Sequence, residues 1–415
     1  MNALARRDGV LTVEDVPLTD VAALCGTPTY VYSRASIERA YRAFDEALAE
    51  KPHLVCYAVK ANSNLGVLNV LARLGAGFDI VSGGELARVL AAGGDPRKTV
   101  FSGVGKTDAE IEAALAADIL CFNVESAGEL ERIDDIARRA AKRARVSLRV
   151  NPDVDPRTHA YISTGLKTSK FGIAYADARA LYARAASMAN VSVTGIDMHI
   201  GSQITDLAPY REATRRVVAL YDALADDGIA LQHIDLGGGL GVAYREEPVI
   251  SPEEYARVVR DAIGARPATL LFEPGRLLVG SAGVLLTRVV QTKRSDERNF
   301  AVVDAAMNDL LRPALYDAWH DVAPVSTTSA GERLVWQIVG PVCESADFLA
   351  HDRDLALCEG DLLAIATAGA YGMTMSSNYN SRPRACEAIV DGASLHVVRA
   401  RETIAELFAN ETTLP

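Results

Sequence analysis

Short apolar runs rich in β-forming residues recur along most of the chain, and longer stretches with helical periodicity separate them. The runs are Leu54–Val59, Gly77–Val81, Thr99–Ser102, Ile119–Val124, Val146–Val150, Gly195–Ile200, His233–Leu236 and Thr269–Glu273. The stretches between them are rich in Ala, Glu and Arg, as in GELARVLAAG (84–93) and AGELERIDDIARRAAKRA (127–144). Neighbouring parallel strands need a crossover connection, so this alternation predicts a parallel sheet.

The alternation alone fits both an open doubly wound sheet and a closed barrel. Eight strands in a region of about 250 residues favour the (β/α)8 barrel. After residue 280 the pattern changes to β-rich runs with few helical stretches, as in GVLLTRVVQTKR (283–294) and ERLVWQIVGPV (332–342). We therefore predict an α/β protein: a (β/α)8 TIM barrel over residues 28–280, and a second, mostly β domain formed by residues 281–415 with residues 1–27.

Composition narrows the class of protein. The 415 residues are 49% hydrophobic and 23% charged, which is typical of a globular chain with a large core. A net charge of -11 disfavours a nucleic-acid partner, and no apolar stretch approaches the ~20 residues of a membrane span. The N-terminus shows no apolar segment of the secretory type. The six cysteines include no CxxC pair and no histidine at zinc spacing, so we predict reduced thiols, a cytoplasmic location and no metal site.

The carboxyl ends of the predicted strands carry the candidate chemistry, because a parallel barrel builds its active site there. Strand one ends at a lysine, strand six at a histidine, strand seven at a glycine cluster and strand eight at a Glu-Arg pair. The polar residues at these ends are Lys60, Asp79, Ser82, Arg149, His199, Ser202, Gly237–Gly239, Glu273 and Arg276. A random set of solvated strand ends would not be expected to combine these types.

Each of these residues also has a purely structural interpretation. Lys60 could be an exposed strand end, the glycines a tight turn, His199 a hydrogen-bonded core residue, and Glu273 and Arg276 an ion pair. Pyridoxal 5'-phosphate (PLP) needs all of them together: an amine to form an imine, a phosphate cradle, a flat group against its ring and a carboxylate at its pyridine nitrogen. The joint occurrence favours Lys60 as a cofactor-binding lysine.

A set of motifs resembles the fold-type III PLP-dependent decarboxylases, and among them the diaminopimelate decarboxylases. The resemblance covers roughly residues 20–405. The motifs are YAVKAN (57–62), SGGEL (82–86), SKFGI (169–173), HIGSQ (199–203), GGGLG (237–241), EPGR (273–276), LRPALY (311–316), GPVCESAD (340–347) and GAYGMTMSSNYN (369–380). Their order and number make the resemblance specific.

The resemblance implies roles for individual residues. Lys60 would bind the cofactor covalently, His199 would stack on its ring, and Glu273 would meet the pyridine nitrogen. The phosphate would be held by Ser202, Gly237, Gly238, Gly239 and the backbone of Pro274, Gly275 and Arg276. Cys343 would be the proton donor. The substrate would be bound by Arg276, Arg312, Tyr316, Glu344 and Tyr371, with Tyr371 also touching the cofactor.

The resemblance also implies a reaction and a partner. The expected reaction is PLP-dependent decarboxylation of meso-2,6-diaminopimelate to L-lysine and CO2, the last step of lysine biosynthesis. The expected assembly is a homodimer in which Cys343 and Glu344 reach the cofactor of the other subunit. Two arginines, Arg276 and Arg312, suit the distal carboxylate of a diacid, which ornithine and arginine lack.

Several alternatives remain at this point. Alanine racemase shares the same plan, but it would place an arginine at the pyridine nitrogen and use a tyrosine as second base, which Glu273 and Cys343 disfavour. A decarboxylase for ornithine, arginine, lysine or carboxynorspermidine is another alternative. A catalytically inactive binding protein would be expected to lack the lysine, the cysteine or the phosphate loop, and a bare cofactor carrier would lack the β domain. Residues 158–173 are a candidate closing loop, with Gly165 and Gly172 as hinges.

Overall fold

The computed structural model describes residues 3–155 and 170–415, which fold into two compact units. One unit comprises Ala40–Val242 and Pro248–Leu277. The other comprises Met1–Arg39, Ala243–Glu247 and Leu278–Pro415. The domain boundaries after residues 27 and 280 stay a prediction. The candidate closing loop lies outside the described residues as far as residue 169.

Strands occur in three successive groups along the chain. The first group is β1 (Leu4–Arg7), β2 (Val10–Val13), β3 (Val16–Pro17) and β4 (Thr29–Ser33). The second is β5 (His53–Ala58), β6 (Gly77–Ile80), β7 (Thr99–Phe101), β8 (Cys121–Val124), β9 (Ala144–Asn151), β10 (Ile173–Ala174), β11 (Val191–Asp197), β12 (His233–Asp235) and β13 (Thr269–Phe272). The third is β14 (Gly283–Arg294), β15 (Asn299–Val303), β16 (Val322–Pro324), β17 (Arg333–Val339), β18 (Phe348–Ala356), β19 (Leu362–Ile365), β20 (Cys386–Asp391) and β21 (Ser394–Arg399).

Helices connect the strands of the second group and are few elsewhere. They are α1 (Leu18–Cys25), α2 (Arg34–Leu48), α3 (Leu65–Arg73), α4 (Gly83–Ala91), α5 (Asp108–Ala116), α6 (Ala127–Arg139), α7 (Tyr175–Ser187), α8 (Leu207–Asp226), α9 (Pro252–Ile263), α10 (Arg276–Val279) and α11 (Arg312–Tyr316). None of the helices among the described residues combines the length and the apolar composition needed to cross a membrane.

Eight parallel strands close into a barrel. The hydrogen-bonded order is β5-β6-β7-β8-β9-β11-β12-β13, and β13 pairs again with β5. The two-residue strand β10 adds to the edge of β9. All eight predicted strands exist, so the TIM-barrel prediction is confirmed, although individual strand ends differ by up to a few residues from the predicted ones.

Helix starts in the barrel follow a repeated Ser/Thr-x-x-Glu sequence. Ser82, Thr107, Ser126 and Ser251 each precede a helix, and each side-chain oxygen accepts a hydrogen bond from the backbone N–H of the glutamate three residues on. Such caps satisfy backbone donors that a helix leaves unpaired and stabilise it by about 1 kcal/mol each. The polar residues after these strands therefore start the return helices.

A cluster of aromatic rings packs inside the barrel unit beside the eighth strand. The rings of Phe44 and Phe272 meet edge to face at 5.8 Å, and those of Tyr255 and Phe272 lie 6.0 Å apart. Phe272 is fully buried and directly precedes Glu273. Packing of this ring therefore fixes the end of β13 that carries a candidate active-site residue.

The other unit is mostly β, as predicted. Its main sheet has the order β18-β17-β15-β14-β4-β20-β21. Strand β19 also pairs with β14, and β16 pairs with the other edge of β19. Strands β1, β2 and β3 form a small antiparallel sheet. Val31, Leu286 and Val390 belong to a shared apolar core beneath β4, β14 and β20. All six cysteines lie in the described residues and are free thiols.

We expect Phe272→Ala to destabilise the barrel unit by about 3–5 kcal/mol, because it removes a fully buried ring and leaves a cavity. Denaturant unfolding followed by fluorescence measures the loss. Phe408→Ala, at a side chain that is 55% exposed, is the control and should change stability by less than about 0.5 kcal/mol. Equal effects of the two substitutions would contradict the role given to the aromatic cluster.

Candidate active site

Lys60 lies just past the end of the first barrel strand, in the short 3-10 helix Val59–Ala61. Its Nζ is 2.7 Å from Oδ2 of Asp79, at the end of β6. The Asp79 side chain is fully buried, whereas the Lys60 side chain is 34% exposed. A buried carboxylate thus holds an accessible amine at the carboxyl end of the barrel. This contact disfavours the interpretation of Lys60 as a solvated strand end.

The EPGR turn packs directly on the segment that carries Lys60. The backbone N–H of Ala58 donates to the carbonyl oxygen of Pro274 at 3.2 Å. A Cβ on Gly275 would lie 2.9 Å from the Cβ of Ala61, closer than side chains normally approach. Gly275 is therefore required for the close approach of the first and eighth strand ends, and these two ends form one surface.

His199 is joined to the glycine turn after β12. The backbone N–H of Gly238 donates to Nδ1 of His199 at 3.1 Å, so the ring carries its proton on Nε2. Burial, with the positive charges of Arg149 and Lys60, lowers the pKa of His199 well below its usual value. Gly239 has a φ of +106°, a conformation that favours glycine. A neutral, flat ring and a glycine turn therefore lie side by side.

Glu273 is held by residues from two other strands. Its Oε1 accepts hydrogen bonds from Nδ2 of Asn123 at 3.2 Å and from Oγ of Ser102 at 3.4 Å. Its backbone N–H donates to the carbonyl oxygen of Gly237 at 2.8 Å. The side chain is buried, and its carboxylate is thereby fixed in one position.

Two further buried acids lie next to Glu273. Carboxylate oxygens of Asp197, Asp235 and Glu273 lie within 4.8 Å of one another. Asp235 also accepts a hydrogen bond from the backbone N–H of Gly237 at 2.9 Å. In the parallel register Asp197 lies beside Asp235 on one side and Arg149 on the other, so these three ionisable side chains form a row across three strands.

Burial, and then the crowding of these acids, raises their pKa values. Burial, then the charges of Asp235, Asp79 and Asp197, raises the pKa of Glu273 well above its usual value. Burial raises the pKa of Asp235 to about 7, against the hydrogen bond from the Gly237 backbone. A carboxyl group in this cluster therefore holds a proton that it can share with a ring nitrogen placed against it, and the negative charge then left on the carboxylate stabilises the protonated ring.

Ser202 and Arg276 meet on the same rim. Nη2 of Arg276 donates to Oγ of Ser202 at 2.9 Å, and Arg276 is buried at the start of α10. The structure thus brings a hydroxyl and a cation together beside the glycine turn. Arg276 thus has a side-chain partner other than Glu273.

The barrel-end groups fit PLP. An accessible lysine, a neutral ring, a glycine turn with backbone N–H groups and a strongly basic carboxylate all belong to the ends of four strands. These are the groups that the cofactor requires for covalent attachment, ring stacking, phosphate binding and charging of its pyridine nitrogen.

The other predicted site residues belong to the mostly β unit. Arg312 and Tyr316 lie four residues apart on α11, and Arg312 is buried. Tyr371 has a φ of +55°, which is rare for a bulky residue and is typical of strained functional sites. Cys343 and Glu344 are both exposed in the single chain.

The loop that carries Cys343 is well anchored despite its exposure. The buried carboxylate of Asp347 accepts hydrogen bonds from the backbone N–H groups of Val342 at 2.8 Å and Met307 at 2.7 Å. The N–H of Cys343 donates to Oδ1 of Asn380 at 2.8 Å. The thiol is therefore presented on a rigid turn.

Sequence reasoning missed several residues that the structure places around Glu273. Ser102, Asn123, Asp197 and Asp235 were given no role, and Asp79 was noted only as a strand end. Each is a polar residue within or at the end of an otherwise apolar strand, as in CFNV and HIDL. A polar residue in a strand buried on both faces is a usable indication of an interior site.

Comparisons with known proteins agree with this geometry. The family described as "Pyridoxal-dependent decarboxylase, pyridoxal binding domain" matches residues 34–280. The chain is 60% identical to a diaminopimelate decarboxylase of Pseudomonas aeruginosa and 50% identical to one of Haemophilus influenzae, with 100% of each chain covered.

A solved structure gives the same result. The chain superimposes on a diaminopimelate decarboxylase from Helicobacter pylori complexed with L-lysine with a TM-score of 0.92, at 42% identity over 95% of this chain and 99% of that one. With a lysine, a basic carboxylate and a glycine turn at its barrel end, the chain belongs to the diaminopimelate decarboxylase family of fold-type III PLP-dependent decarboxylases.

Proposed function

We propose that this chain catalyses the PLP-dependent decarboxylation of meso-2,6-diaminopimelate to L-lysine and CO2, the last step of lysine biosynthesis. The observation that carries the proposal is that hydrogen bonds hold Lys60, His199 and Glu273 at one end of the barrel; their partners are Asp79, Gly238 and Asn123. Relatives 50% to 60% identical over the whole chain bear the name of this activity.

The cofactor supplies an electron sink for the electron pair that remains at Cα when CO2 leaves. The residues that would hold it are Lys60, His199, Ser202, Gly237, Gly238, Gly239, Glu273, Pro274, Gly275, Arg276 and Tyr371. The decarboxylation depends on which of these side chains hold protons.

Four barrel residues have distinct tasks. Lys60 provides the amine for covalent attachment, and Asp79 orients that amine. Glu273, whose pKa is raised by burial and by the neighbouring acids, would share its proton with the pyridine nitrogen, and its negative charge would stabilise the protonated ring. His199 would cover the ring face as a neutral imidazole, which adds no positive charge there.

Cys343 returns a proton to Cα after CO2 has left. Its thiol is exposed in the single chain, and the same is true of Glu344. Exposure in bulk water is unfavourable for controlled proton transfer, which supports a homodimer in which Cys343 of the partner subunit and Glu344 of the partner subunit complete each site.

The distal end of the substrate meets charged residues. Arg276 and Arg312 bind its carboxylate, Glu344 binds its ammonium group, and Tyr316 and Tyr371 complete the substrate-binding set. A diacid is therefore preferred over amino acids with no distal carboxylate.

We further propose that the domain boundaries lie after residues 27 and 280. We also propose that the protein is cytoplasmic. The six free thiols support the location, because reducing compartments keep cysteines unpaired.

Lys60→Ala should abolish both the visible absorption of the purified protein and its turnover, because no other amine replaces the one beside Asp79. Absorption spectra and CO2 release measure the two effects. Lys293→Ala, at an exposed lysine of β14, is the matched control and should retain both properties. A colourless but active Lys60→Ala variant would sink the assignment of PLP.

Cys343→Ala should retain bound cofactor and lose most of its rate. Mixing this variant with Lys60→Ala, followed by subunit exchange, should restore about one quarter of the wild-type activity, because half of the dimers are mixed and one of their two sites is intact. Cys358→Ala, which removes a different thiol, is the control for replacing a cysteine by alanine. If mixing restores nothing while exchange is demonstrated, the thiol belongs to the same chain as the lysine.

CO2 release from meso-diaminopimelate should exceed release from ornithine, arginine and lysine by at least about 100-fold in kcat/KM, because only the diacid pairs with both arginines. Assays at equal concentrations of each compound measure the preference. A preference for a substrate with no distal carboxylate would overturn the roles of Arg276 and Arg312 and favour a decarboxylase of the ornithine type.

A further inference from the structure

Arg312 is held by two side chains of its own unit. Its Nη1 donates to Nε2 of His320 at 2.8 Å. Its Cζ lies 4.5 Å from the centre of the Tyr244 ring, a cation–π distance. The rings of Tyr244 and His320 also meet edge to face at 5.3 Å. The guanidinium is therefore confined on two sides by neutral groups.

The hydrogen bonds of His320 determine its protonation state. Its Nδ1 is 2.9 Å from the carbonyl oxygen of Ala366, which can only accept, so Nδ1 carries a hydrogen. The guanidinium of Arg312 can only donate, so Nε2 must present its lone pair. His320, which is fully buried, is thus a neutral imidazole of one defined tautomer. A second proton would face the N–H of Arg312 and break the contact.

The backbone at Trp319 and His320 is held in place by two arginines. Trp319 is stacked between two guanidinium groups, with Cζ of Arg245 at 3.6 Å and Cζ of Arg353 at 3.2 Å from its ring centre. Nη2 of Arg353 also donates to the backbone oxygen of His320 at 2.9 Å. The stack fixes the residue next to His320 in the chain.

The backbone of the segment that carries Tyr244 is held by hydrogen bonds to a carboxylate. Glu247 accepts hydrogen bonds from the backbone N–H groups of Tyr244 at 2.8 Å and Arg245 at 2.7 Å. This short turn follows the glycine loop along the chain. Tyr244 therefore has a rigid backbone from which its ring faces Arg312.

We propose that His320 and Tyr244 are positioning residues that hold the Arg312 guanidinium for the carboxylate at the non-reacting end of the substrate. The inference rests on the proposed function and deepens its substrate choice. The neutral imidazole of His320 and the ring face of Tyr244 orient the cation, and they themselves add no negative charge that would compete with the carboxylate of the substrate.

Two small molecules test the binding of the distal carboxylate separately from the rest of the site. L-lysine, the product, retains the carboxylate of the non-reacting end. 1,5-Diaminopentane has the same carbon chain and both amines but no carboxylate. The ratio of their competitive inhibition constants therefore reports how well the arginines bind the distal carboxylate, and a general loss of structure would not move it.

The test compares His320→Leu with His320→Gln, which restores both an acceptor and a donor. In His320→Leu we expect KM for meso-diaminopimelate and the inhibition constant of L-lysine to rise by about tenfold or more. The constant for 1,5-diaminopentane should change by less than about twofold, and kcat by less than about threefold. His320→Gln should recover most of the affinity. His396→Leu, at an exposed histidine of β21, is the control.

Tyr244 supplies an independent test if His320→Leu does not fold. Tyr244→Leu should lower the preference for L-lysine over 1,5-diaminopentane by several-fold, whereas Tyr244→Phe keeps the ring face and should retain most of it. Cofactor absorption, measured on every variant, reports the intact barrel site.

The outcomes separate this inference from the proposed function. A wild-type protein that neither releases CO2 from meso-diaminopimelate nor binds L-lysine refutes the proposed function. A wild-type protein that does both, with an inhibition ratio unchanged in His320→Leu or in Tyr244→Leu, refutes the positioning role. An equal weakening of both inhibitors also refutes it, because it shows a general structural effect.

Discussion

The pairing of β13 with β5 is the contact on which the catalytic arrangement depends. These strands come from opposite ends of the barrel sequence, and their hydrogen bonds close the sheet. Closure places the EPGR turn on the backbone beside Lys60, where only glycine fits at residue 275. An amine and a basic carboxylate thereby share one rim although more than two hundred residues separate them in the chain. An open sheet of the same strands would leave them at its two edges.

The barrel interior uses burial to tune charge. Glu273, Asp235 and Asp197 are removed from water and placed within 4.8 Å of one another, which is costly when all are ionised. The cost raises the pKa of Glu273, so its carboxyl group holds a proton that it could share with a pyridine nitrogen placed against it. Hydrogen bonds from Asn123 and Ser102 limit the motion of the carboxylate. The burial and crowding that destabilise these acids therefore also give Glu273 its chemical function.

The mostly β unit follows a different rule at Arg312. There a cation is held by contacts with the neutral imidazole of His320 and the aromatic face of Tyr244. The barrel acids crowd together and raise one another's pKa values, whereas His320 and Tyr244 add no charge of their own beside Arg312. Both arrangements rely on burial, which strengthens electrostatic interactions by excluding water.

Local patterns in the sequence determined the eight strands, the return helices and the position of Lys60. Apolar runs bury strands, and Ser/Thr-x-x-Glu starts helices through bonds that span three residues, so neither depends on distant chain. The predicted first strand, Leu54–Val59, differs from β5 by one residue at each end. The surroundings of Glu273 were decided by tertiary structure alone, because Asn123 is 150 residues away and only the register of the closed barrel turns both side chains inward. The same holds for His320, whose tautomer follows from a carbonyl 46 residues distant.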